Sequence, residues 1–77
     1  MNKEYKTIPF KELKQALNQL YNGWFRSWRD VKITGDNWTE VIRQLVAITT
    51  EYEDYPVVFA VAEALLKELE ERNKHDR

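Results

Sequence analysis

The stretch Leu17-Asn18-Gln19-Leu20-Tyr21-Asn22-Gly23-Trp24-Phe25-Arg26-Ser27-Trp28-Arg29 decides the architecture. Asn22-Gly23 suits the left-handed residue that ends a helix. Yet the apolar phase survives the pair. Trp24, Trp28 and Val31 fall on the same stripe as Leu17 and Leu20 if a helix simply continues at about 100° per residue. A glycine inside a helix costs roughly 1 kcal/mol relative to alanine. Burying one tryptophan offsets that. One helix running through Gly23 to about Arg29 is therefore expected, with Gly23 as the place for a kink. Phe25 lies off the main stripe.

Upstream, Thr7-Ile8-Pro9 reads as a helix start, with Thr7 as cap, Pro9 in the first turn and Ile8 against the next turn. Phe10, Leu13, Leu17, Leu20 and Tyr21 then recur at spacings of three and four and define an inward arc. Residues 1–7 are polar and aperiodic, a loose N-terminal arm.

Downstream, Val31-Lys32-Ile33-Thr34-Gly35-Asp36 combines β-branched residues with a Gly-Asp pair and reads as a connection. Asp36 or Asn37 caps a second helix, and Asn37 with Glu40 has capping-box spacing. Its inward face is Trp38, Val41, Ile42, Leu45, Val46, Ile48 and Tyr52. Glu53-Asp54-Tyr55-Pro56 breaks the chain again, with Asp54 as cap and Pro56 in the first turn of a third helix. Val58, Val61, Ala62, Leu65, Leu66 and Leu69 face inward there, with Phe59 at the edge. Residues 73–77 form a frayed charged tail whose removal leaves stability nearly unchanged.

The expected fold is all-α: a single domain over 1–77, built as a small three-helix bundle with helices at about 10–29, 37–52 and 56–72. The 77 residues suffice for one core. With 43% hydrophobic residues, three Trp, four Tyr and three Phe, the chain has enough apolar surface to fold. The net charge of −1 gives no global field toward nucleic acid or membrane. Its distribution is uneven. Residues 1–34 hold seven Lys/Arg against three Asp/Glu, and residues 35–77 hold five against ten. Packing of the basic half on the acidic half accounts for this, and a basic patch or association between copies is the alternative. No apolar run approaches a membrane span, and Met1 to Lys6 has no apolar core behind its charges to make a signal peptide. A soluble, cytoplasmic protein is expected.

Chemistry finds little to work with. There are no cysteines, so thiolate metal sites and disulfides are excluded. His75 is the only histidine, and carboxylates alone make a poor transition-metal site. Ser27, the only serine, has no buried base to activate it. The acids Glu51, Glu53 and Asp54, and Glu68, Glu70 and Glu71, lie in polar surroundings that keep carboxylates solvated. Two glycines twelve residues apart cannot build a phosphate loop or a dinucleotide fingerprint. A helix-turn-helix reading of the second and third helices fails, because the recognition helix would open Pro56-Val57-Val58-Phe59-Ala60 with nothing to read a base edge. No catalytic residue, cofactor or metal is expected.

The segment from Trp24 to Lys32 is the suggestive one. Aromatics interleaved with Arg and Lys make protein hot spots, stack bases, or simply complete a core. Three basic residues are few for a nucleic-acid footprint, so nucleic acid is not the expected partner. Trp24, Phe25, Trp28 and Arg29 are the first half of a candidate interface. Ala60 and Ala64 are the second, small residues four apart that allow close helix approach. A small domain with more apolar surface than it can cover associates, so a homodimer or another protein is the expected partner. In length, lack of cysteine and Trp/Tyr-rich helical composition, the whole chain resembles the small accessory proteins encoded by bacteriophages and prophages. That resemblance implies a non-enzymatic, partner-binding role. A small nucleic-acid-binding or regulatory protein using the basic N-terminal half is the alternative.

One expected outcome follows from the missing ligand set. Zinc added in excess should leave the melting temperature unchanged, read by calorimetry or a dye-free thermal melt. A zinc-dependent rise of several degrees would overturn it.

Overall fold

A computed structural model describes residues 7–75. Those residues form three helices and, among them, no strand. The first, α1, spans 10–29 without interruption, α2 is Gly35–Glu51, and α3 is Pro56–His75. The all-α three-helix reading holds, and so does the passage of the first helix through Gly23.

Gly23 sits inside a π-helical segment, Asn18–Phe25, flanked by ordinary α-helix at Phe10–Leu17 and Arg26–Arg29. The Arg26 N–H reaches back five residues to the Tyr21 carbonyl. Such a segment holds more residues in each turn than an α-helix and so rotates less per residue. The inward arc expected from α-periodicity is corrected accordingly. Ala16 and Leu20 are fully buried, whereas Phe10 is 74% exposed and Tyr21 51%. Leu17 and Val31 are exposed as well, and Phe25, off the α-helical stripe, is buried.

The π segment packs against both other helices, while the first two turns of α1 pack mainly against α3. The Trp24 indole N–H donates to the Val41 carbonyl at 2.9 Å, and Gln19 Nε2 donates to the Tyr52 hydroxyl at 3.2 Å. Gln19 therefore meets the end of α2 and Trp24 its beginning, so α2 runs back along α1. Leu17 and Tyr21 share a groove with Val61 and Leu65, and Trp28 lines another with Leu69. Both series ascend together, so α3 runs parallel to α1. The core collects Leu20, Trp24, Phe25, Val41, Leu45, Val58, Ala62 and Leu69 from all three helices, with Ile8 from the segment just before α1. Val46, expected inward, is 52% exposed, and Thr49 is buried in its place. The Thr49 hydroxyl donates to the Val46 carbonyl at 3.2 Å, which satisfies the hydroxyl of this buried threonine.

The helix ends also differ from expectation. Pro9 stands just before α1, where its carbonyl accepts the Leu13 N–H at 2.9 Å. The cap of α2 is Thr34, not Asp36 or Asn37. Asn37 is its capping-box partner, and its Oδ1 accepts the Thr34 N–H at 2.7 Å. That frees Glu40 for the surface, where it pairs with Arg43.

The C-terminal end of α3 is not a frayed tail over its described length. Asn73 lies inside the helix, and its amide brackets the backbone of Ile33. The Ile33 N–H donates to Asn73 Oδ1 at 3.3 Å, and Asn73 Nδ2 donates to the Ile33 carbonyl at 3.0 Å. Ile33 is the one buried residue of the α1–α2 connection, and it lies outside any helix or strand. The Asn73 amide supplies both partners from across the chain. Residues 1–6 of the expected arm, and 76–77 of the expected tail, lie outside the described residues.

Two outcomes test this arrangement. Asn73→Ala should lower stability by about 1–3 kcal/mol, the cost of leaving part-buried backbone groups unpaired. At about 4–8 °C per kcal/mol for a domain of this size, a thermal melt resolves the loss. Asn73→Asp should be less harmful in acid than at neutral pH, since only a protonated carboxyl can donate to the Ile33 carbonyl. The second outcome concerns Tyr52. Burial pushes its phenol above the ordinary range, and the nearby Glu51 and Glu12 add to the effect. The folded-state value thus exceeds the unfolded one. The contribution is complete below about pH 10 and is lost as pH climbs past that value. Tyr52→Phe should blunt the alkaline loss of stability in a pH series of melts.

Candidate functional site

The residues expected at a binding surface separate into two groups. Trp24 and Phe25 are core residues, 3% and 6% exposed, and the expectation that they anchor a partner is corrected. The physical reason is the π segment, whose slower rotation brings both adjacent aromatics inward. Trp28 is half-buried, and its polar edge has a partner within the chain. Its indole N–H donates to Gln44 Oε1 at 3.0 Å, and Gln44 Nε2 donates in turn to Glu40 at 2.8 Å. Arg43 closes the chain by donating to Glu40. The Arg43 guanidinium, with Gln44 beside it, holds the Glu40 carboxyl below its usual range, and Glu40 raises Arg43 in return. Arg29 is exposed and paired with its neighbour Asp30 at 3.2 Å. The stretch from Trp24 to Lys32 therefore does not present its aromatics and cations together on one face.

Ala60 and Ala64 do lie in the open, on the outer side of α3. Spacing on that helix puts Val57 and Val61 along the flank turned toward α1, with Leu65 just inside it and Ala64 on its outer edge. Here the structure opens a shallow groove of about 720 Å³, walled by Leu17, Asn18 and Tyr21 on one side and by Val61 and Leu65 on the other. Lys14 stands at its mouth. Phe10, one α-helical repeat before Leu17, extends the same α1 face and is 74% exposed.

The Tyr21 ring is held in place. It stacks on Phe25 at 5.7 Å between centroids with an 18° interplanar angle. Phe25 is buried, so an exposed aromatic rests on a core aromatic, and Tyr21 projects as a fixed ridge. Across the groove from that ridge Val61 and Leu65 of α3 form the facing wall, and Ala64 lies one turn from Val61 on its outer flank. An exposed apolar seam lined by aliphatic groups and one anchored tyrosine suits contact with a protein surface.

Sequence reasoning placed Leu17, Tyr21, Val61 and Leu65 in the core and so missed this seam. The signal was present in Phe25, an aromatic out of phase with the α-helical stripe and next to a tryptophan within it. Only a change of helical pitch buries both.

The rest of the surface offers little chemistry. Ser27 is on the helix surface, with its hydroxyl donating to the Gly23 carbonyl at 2.6 Å. Among the described residues no three carboxylate, imidazole or thiol groups converge. No described helix is long and apolar enough to cross a membrane. A second hollow of about 700 Å³ lies between the start of α2 and the end of α3, lined by Ile33, Trp38, Glu70 and Lys74 among others. The chain matches no family model, no curated protein and no solved structure, so its fold and its seam stand on their own geometry.

Proposed function

We propose that the chain is a non-enzymatic helical interaction module that associates with a second copy of itself through the seam between α1 and α3. The observation that carries this reading is the self-complementary relief of that face. Leu17 and Tyr21 form a ridge on α1, and Val61 and Leu65, with Ala64 one turn from Val61 on its outer flank, form a shelf on α3 at the same height along the bundle, since Leu17, Tyr21, Val61 and Leu65 share one groove. A two-fold axis parallel to the helices would lay the ridge of each copy on the shelf of the other. That is the condition an isologous contact must meet. Tyr21 supplies a rigid aromatic anchor and the alanines permit close approach. The reading carries with it a soluble protein at work in the cytoplasm, in the manner of the small phage and prophage accessory proteins it resembles.

Sedimentation at two concentrations tests the proposal. The wild-type chain should show twice its monomer mass at the higher one. Tyr21→Ser and Ala64→Glu replace exposed side chains, so both variants should keep wild-type helicity by circular dichroism. Both should sediment as monomers at concentrations where the wild type associates. A wild type that stays monomeric throughout, or variants that associate as it does, would overturn the proposal.

A further inference from the structure

The first helix carries two apolar stripes rather than one. In the structure the inward series is Leu13, Ala16, Leu20, Trp24, Phe25 and Trp28, and it depends on the π segment. An uninterrupted α-helix through the same residues would turn inward Leu13, Leu17, Leu20, Tyr21, Trp24 and Trp28. Leu13, Leu20, Trp24 and Trp28 belong to both. The difference is an exchange: Ala16 and Phe25 inside against Leu17 and Tyr21 inside. A π segment takes up about one residue of rotation, about 100°, between its flanks. Releasing it would turn the two flanks relative to each other by that amount, the first two turns bringing Leu17 and Tyr21 inward and the last turn carrying Phe25 outward.

Local features allow the exchange. Gly23 lies in the middle of the segment, and a Cβ there would meet nothing nearer than the Asn18 carbonyl at 3.9 Å. Within the segment, Asn22 bonds to Asn18 at 2.6 Å, and Ser27 just beyond bonds back to the Gly23 carbonyl at 2.6 Å. Among the described residues, Gln19 Nε2 on the Tyr52 hydroxyl and the Trp24 indole on the Val41 carbonyl tie its polar side chains to α2 and its C-terminal end.

We propose that α1 is a two-register element, with a π register that exposes Leu17 and Tyr21 and an α register that buries them in place of Ala16 and Phe25. The register then governs the seam, because the ridge exists only in the π form. If a second copy covers that ridge, which rests on the association proposed above, association draws the helix into the π register. Dilution releases it toward the α register.

The chain has no cysteine, so single thiols report the register directly. Ala16 and Val41 are equally buried, at 0% exposure. With a single register, a thiol at either position meets a labelling reagent only when the whole domain opens. With two registers, Ala16→Cys alone is exposed by the switch. It should label at least about tenfold faster than Val41→Cys, after each rate is normalised to that variant's own unfolding equilibrium. Its rate should fall as protein concentration rises. Ala16→Arg separates the switch from fraying of the first turns. In the α register Ala16 faces solvent, so the arginine should be accommodated with full helicity. Phe25→Cys in that background should then label at the rate of an exposed thiol. Equal labelling of the two thiols overturns the two-register proposal, even if the protein is dimeric. Loss of helicity in Ala16→Arg overturns it as well. Fast Ala16→Cys labelling that does not depend on concentration, in a monomeric protein, upholds the two registers and defeats self-association.

Discussion

The rotation of one helix sets what every other part of this chain can touch. Over Asn18–Phe25 the backbone bonds reach one residue further than in an α-helix, and each residue turns through a smaller angle. Two adjacent aromatics, Trp24 and Phe25, thereby enter the core side by side. The indole N–H finds the Val41 carbonyl, which satisfies a polar group that burial would otherwise penalise. Ala16 comes to lie against the bundle upstream, and its small side chain allows the backbone of α1 to approach closely. The same rotation leaves Leu17 and Tyr21 outside. Core and seam are thus two results of one change in pitch.

Polar groups then fix the arrangement that the apolar groups make favourable. Dispersion and burial do not distinguish small slides between helices, whereas hydrogen bonds do. Gln19 on Tyr52, Trp24 on Val41 and Trp28 on Gln44 set the height of α1 against α2 at three levels. Asn73 sets α3 against the connection. No buried side-chain nitrogen or oxygen among the described residues lacks a partner. For a core this small, satisfying those groups matters as much as adding area.

The sequence made the helices legible and left their rotation hidden. Pro9, Pro56 and the runs of Val, Leu and Ala mark where helices begin and which faces are apolar, although the cap of α2 lies two or three residues before Asp36 and Asn37. They do so because capping and burial are local in the chain. Trp24 and Trp28 read correctly as continuing the first helix through Gly23, since the loss at one glycine is smaller than the gain from an indole. What periodicity could not give was pitch. A wheel drawn at a fixed angle assigns Leu17 inward and Phe25 outward, and both assignments reverse when the angle changes over eight residues. The seam inherits that difficulty, since its ridge consists of the displaced residues. Asn73 was illegible for another reason. Its partner is 40 residues away, and an asparagine within a charged terminal run carries no sign of it.

That distance has a kinetic meaning. Helical bundles fold fast because most of their contacts are local. The bracket from Asn73 to Ile33 is the opposite kind of contact, closing a loop of 40 residues that includes all of α2. Its geometry requires α3 to be formed to its last turns and already laid along the bundle. A contact that forms after the rate-limiting step leaves the speed of folding alone and acts on the speed of escape. The amide at the end of α3 is placed to act as such a latch, on how long a folded molecule lasts more than on how quickly a new one forms.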